Sequence, residues 1–75
     1  MRIDVVCYAG HRGDETPRRL VVAERPLEVL AVLDRWIGPD HRYFKVRVTG
    51  GATFIVRQDL DAGEWELATW DAPAP

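Results

Sequence analysis

Apolar and polar side chains alternate along most of this chain, and the alternation falls into short segments separated by turn residues. Ile3, Val5 and Cys7 alternate with Asp4, Val6 and Tyr8, the period-two signature of a strand with one apolar face, here over residues 2–8. Residues 9–17 carry two glycines and a proline among polar side chains and read as the longest loop. Arg18–Ala23 alternates again, with Leu20 and Val22 on one face, and Glu24-Arg25-Pro26 then turns the chain.

Residues 27–37 admit two periods. Leu27, Leu30, Leu33 and Ile37 fit one side of a helix that starts after Pro26. Asp34 would then fall inside the apolar arc, and the valines at 29 and 32 favour extended backbone, so the expectation is a strand over 27–33. After Gly38-Pro39-Asp40, the segment His41–Thr49 sets Phe44, Val46 and Val48 against Tyr43, Lys45, Arg47 and Thr49. Gly50-Gly51 supplies the positive φ values of a tight hairpin and leads into a strand over 52–57. Asp59–Gly63 is a further turn cluster, a last strand covers 64–70, and residues 72–75 read as a frayed tail beyond one domain of residues 1–71.

Turns every eight to twelve residues predict an all-β fold. The expected form is a small antiparallel barrel of five or six strands, SH3-like or similar and partly open. Its core would come from positions 27, 29, 31, 33, 44, 46, 48, 54, 56, 65 and 67. The chain has 75 residues, 47% hydrophobic and 29% charged, which is ordinary globular composition and room for one domain. Cys7 is the only cysteine, so no internal disulfide staples the core, and a reducing, cytoplasmic setting is expected. Asp4 interrupts the apolar N-terminal run, so no signal-peptide core is expected. No apolar stretch exceeds five residues, against about 20 for a spanning helix, and no membrane partner is expected.

Composition also narrows the chemistry. The chain has neither serine nor asparagine, which removes serine nucleophiles, Asn-linked glycosylation and asparagine readout of adenine. Nine of the ten basic residues are arginine, and charge is uneven, with residues 1–47 at +2 and residues 48–75 at −4. Cys7 lies on an apolar strand face, where a thiol behaves as a small hydrophobe. The alternative is a small enzyme or metal-dependent protein using Cys7, His11 and His41, with Asp14 or Asp40 beside them, yet no paired ligand spacing supports a metal site. Arg12-Gly13-Asp14 is read as turn chemistry. So is the acidic cluster Asp59, Asp61, Glu64 and Glu66, which lacks the full calcium-loop pattern. No catalytic residue, cofactor or metal is assigned.

One constellation stands apart, because cationic and aromatic side chains interleave from Arg35 to Arg47. Arg35, Trp36, Arg42, Tyr43, Lys45 and Arg47 form the candidate binding surface, an outward face suited to a protein or a nucleic acid. The competing reading is that cross-strand carboxylates such as Glu64 and Glu66 neutralise it. Trp36 and Trp70 either extend this surface or plug an end of the barrel. A third expectation is a homodimer through an exposed edge, either residues 2–8 or 64–70.

The segments Tyr8-Ala9-Gly10-His11-Arg12-Gly13, Thr16-Pro17-Arg18-Arg19, Leu33-Asp34-Arg35-Trp36 and Asp40–Val46 resemble those of a group of small uncharacterised bacterial proteins, over residues 5–67. Through Val32-Leu33-Asp34-Arg35-Trp36 and Trp65-Glu66-Leu67 the chain is also distantly similar to modules appended to Y-family polymerase-like DNA repair proteins. The resemblance implies a small β domain. It raises the expectation of a non-enzymatic binding or adaptor module working near DNA or its replication proteins.

Overall fold

The computed structural model describes residues 2–7 and 16–71. Six strands, β1 (Arg2–Cys7), β2 (Pro17–Val22), β3 (Arg25–Ile37), β4 (His41–Val48), β5 (Thr53–Asp59) and β6 (Trp65–Asp71), pair antiparallel in chain order and close into a barrel. The predicted small all-β barrel is therefore present with all six strands, and closure is complete. The closing seam between β1 and β6 is short, consisting of Arg2 opposite Glu66 and Ile3 opposite Trp65. The tail at 72–75 and most of the loop at 9–17 lie outside the described residues.

Alternation fills the interior as expected on most strands. Ile3, Leu20, Phe44, Val46, Val48, Phe54, Val56 and Trp65 are buried together, and Val5, Cys7, Val22, Leu27, Val29, Val32, Ala52 and Leu67 pack against them. Two inward residues of β4 face inward residues of β5, with Phe44 opposite Val56 and Val46 opposite Phe54. The hairpin between these strands turns through Gly50 and Gly51, at φ values of 93° and 90°. No side chain tolerates that conformation cheaply, which is why the sequence marks this turn so clearly.

Three features of β3 depart from expectation. The β2–β3 turn is Ala23-Glu24, one residue earlier than predicted. Both residues sit at positive φ, 51° and 66°, in a two-residue loop between paired Val22 and Arg25. Neither is the glycine, asparagine or aspartate that such a turn favours, so the residues themselves give no sign of it. The strand also runs on to Ile37, well beyond the predicted end at 33.

The third departure is in phase. Along β4 the partners step from Val29 to Ala31 and from Val32 to Asp34, leaving Leu30 and Leu33 as the extra residues of two bulges. Each bulge reverses which parity points inward. Val29 faces the core, Val32 replaces the predicted Ala31, and Leu33 leaves the core to stand 42% exposed. After the second bulge Arg35 lies opposite the buried Phe44, while Trp36 lies opposite Tyr43 on the outer face.

Candidate functional site

The six candidate residues fall on two faces of the same β3–β4 ribbon. Tyr43, Lys45 and Arg47 alternate with inward Phe44, Val46 and Val48, as predicted, and so belong to the outer face. Trp36 joins them by lying flat on Tyr43, with ring centroids 5.3 Å apart and planes 5° from parallel. Arg35 and Arg42 do not share that face. They belong to the Phe44 side, where the Arg35 guanidinium stands 5.9 Å from the Phe44 ring centroid. Extending β3 beyond 33 is what turns Arg35 this way.

These two arginines border a cleft at one end of the barrel. It has a volume of about 360 Å³ and is lined by Arg35, Trp36, Ile37, Arg42 and Phe44. That is the lower end of the range for ligand pockets, about 300–1,000 Å³, and suits one planar or branched group rather than a large cofactor. Ile37, 72% exposed, and the edge of Phe44 make its apolar wall, with a guanidinium on either side. The sequence marks neither Ile37 nor Phe44 as a binding residue: Ile37 fits the apolar side of the alternative helix, and Phe44 alternates inward as core.

Tyr43 is fixed from several directions. On its β5 side Arg57 lies opposite it and donates a hydrogen bond to its hydroxyl, and Arg57 also donates to Glu66 at 3.0 Å. These acceptors favour the charged guanidinium, and the pKa of Arg57 is raised by Tyr43 first and Glu66 next. His41 tilts against the Tyr43 ring at 6.1 Å. Gly38 lies beneath it, and a Cβ there would meet Tyr43 Cε1 at 3.0 Å. The glycine, read from the sequence only as a strand breaker, gives the ring room to lie flat.

The competing assignment of Glu64 and Glu66 is settled by register. Glu64 pairs with Arg2, and Glu66 lies opposite Arg57 on β5, two strands from β4. Glu28 is taken by Arg19, at 2.7 Å. Among the described residues, no carboxylate reaches ion-pair distance of Arg35, Arg42, Lys45 or Arg47. Asp34, opposite Lys45, instead accepts the backbone N–H of Arg35 at 2.8 Å. Among the described residues, these four cations on one ribbon therefore form no ion pair with a carboxylate.

The alternative chemistry is not assembled by the described residues. His41 lies 3.9 Å from Glu66, which is opposite Arg2 at the start of β1, whereas Cys7 packs against the core at the other end of that strand. His11 and Asp14 lie outside the described residues, as does the Trp70 side chain. No group of three metal-ligating side chains occurs among the described residues. Asp59, from the acidic cluster, has a turn role: its Oδ1 accepts the N–H groups of Asp61 at 2.8 Å and Ala62 at 2.9 Å. Those bonds, Ala62 first, lower its pKa, with a smaller contribution from His41.

No family model, no curated protein and no solved structure matches this chain.

Proposed function

We propose that the protein is a non-enzymatic binding module whose contact surface is the ribbon formed by the second half of β3 and the adjoining half of β4. The observation that carries this reading is the set of four cations, Arg35, Arg42, Lys45 and Arg47, left without carboxylates around the Trp36–Tyr43 stack. Elsewhere on the barrel Arg2, Arg19 and Arg57 each have a glutamate partner, while Arg25, beside the β2–β3 turn, has none among the described residues. Fixed aromatic and arginine side chains are the types that dominate binding energy at interfaces, because they contribute large contact area with little rotamer freedom to lose.

The partner is a protein or a nucleic acid bearing negative charge. The resemblance to modules of DNA repair proteins supports a setting near DNA, and the net charge of −2 argues for a local patch rather than a generally basic surface. Affinity capture with the wild-type chain, with and without nuclease, tests the reading beside the Tyr43→Ala and Arg47→Glu variants. Partners lost from both variants are expected. Equal recovery by wild type and variants would remove this surface from consideration.

A further inference from the structure

The ribbon has a third feature besides its charge and its cleft, namely a long backbone edge that no described strand pairs. β2 covers β3 only as far as Glu28, which lies opposite Arg19. From Val29 to Ile37 the strand is paired to β4 alone, and no other described strand meets its far edge. This exceeds what the β1–β6 seam leaves as a docking template, because the exposed apolar side chains gather here. Leu30, Leu33, Trp36 and Ile37 are four of the six large exposed hydrophobics among the described residues.

Bulges ordinarily protect an edge, by twisting it away or by carrying charge. Here the extra residues are Leu30 and Leu33, so both bulges add apolar surface. Resting on the binding-module reading above, we propose that this edge receives an extended acidic polypeptide segment as an added antiparallel or parallel strand. One apolar side chain of the segment enters the cleft between Trp36, Ile37 and Phe44, and carboxylates two residues to either side of it, on the same face, meet Arg35 and Arg42.

Three observations select this occupant. Unpaired N–H and C=O groups along a strand are matched in spacing only by another peptide backbone, which a polynucleotide lacks. The cleft opens on the inward-parity side of the same edge, where alternate side chains of an added strand would point. The charge on the surface is cationic and uncompensated, and carboxylates pair with arginine by two parallel hydrogen bonds. A second copy of this chain centred on Arg35 would instead set arginine against arginine. Asp34 already serves the N–H of Arg35, so the new ladder forms on either side of that position.

The test is selection of a random decapeptide phage library on the whole chain. The selected sequence is then synthesised and its affinity measured for wild type and for Arg42→Glu and Ile37→Asp, both at surface positions that leave the core intact. Enriched peptides should carry acidic residues two positions to either side of an apolar one, and each variant should weaken binding at least about tenfold. N-methylation at alternate peptide bonds should weaken it as much, since it removes ladder hydrogen bonds and keeps the side chains. Undiminished binding by the methylated peptide, or no enrichment on wild type over Arg42→Glu, would overturn the added strand. Oligothymidine binding that Arg42→Glu abolishes, with no peptide enriched, would assign the surface to nucleic acid; the binding module would stand and the peptide proposal would fall. A dimer by light scattering that Ile37→Asp converts to monomer would give the edge to a second copy and equally overturn it. Loss of every ligand would remove both readings.

Discussion

Trp36 on β3 lies parallel to Tyr43 on β4, 5.3 Å from it, on the outer face of the barrel. The pair are cross-strand neighbours, so the stack follows directly from register. Register in turn depends on the second bulge, because Trp36 and Tyr43 come opposite each other only after Leu33 has been left out of the pairing. An aromatic contact on the surface thus reports on a backbone irregularity three residues away.

A double-mutant cycle with Trp36→Ala and Tyr43→Ala should give a coupling of about 0.5–1.5 kcal/mol, the range for offset aromatic pairs. Gly38→Ala should disturb the same stack without touching either ring, because its Cβ would press on Tyr43 Cε1. Near-ultraviolet circular dichroism should change in Gly38→Ala while the far-ultraviolet spectrum holds. An unchanged near-ultraviolet signal would show that the ring has room to spare.

Leu20 and Leu33 separate the interior from the bulges. Leu20 is fully buried, and Leu20→Ala should cost about 2–5 kcal/mol of unfolding free energy. Leu33→Ala should stay within about 0.5 kcal/mol of wild type, since a surface position away from special features rarely costs more. Equal losses measured by urea denaturation would place Leu33 back in the core and remove the phase change.

That phase change marks the boundary of what the sequence makes legible. On β4 the apolar residues occupy alternate positions, so Phe44, Val46 and Val48 declare their direction. On β3 the run Val29-Leu30-Ala31-Val32-Leu33 is apolar at every position and carries no parity of its own. Which residue turns inward there is decided by the partner strand, and the two bulges exchange Ala31 and Leu33 for Val32. The candidate residues were legible as a group because cations and aromatics interleave. Their division into an outer stack and an arginine-lined cleft was hidden, since it follows from how far β3 extends.

The β2–β3 turn holds Ala23 and Glu24 in the left-handed region, at a cost of roughly 1–2 kcal/mol per residue for an L side chain. Glu24→Gly should therefore stabilise the barrel by up to about 1 kcal/mol, even after the added freedom of the unfolded chain is subtracted. Chemical denaturation should show a higher midpoint with an unchanged slope. A lower midpoint would mean that the turn does not take this conformation.

Asp59 links stability to pH. Its carboxylate is stabilised by the N–H groups of Ala62 and Asp61, so its folded pKa lies below the unfolded value. The stabilisation is complete above the unfolded pKa, about 4, and is lost as pH falls through the folded one. Asp59→Asn should lower stability at neutral pH and flatten its decline in acid. If wild type and variant fall in parallel below about pH 4, the turn does not draw on this charge.

Site-resolved amide hydrogen exchange reads the edge that the second half of β3 turns away from β4, which no described strand pairs. Over residues 30–37, about half the amides should be protected by β4 while those facing away exchange as freely as solvent-exposed peptide groups, because N–H groups of a paired strand alternate in direction. Protection of every amide from Leu30 to Ile37, at the level of Phe44 and Val46, would show that the edge is already covered and leaves no place for an added strand.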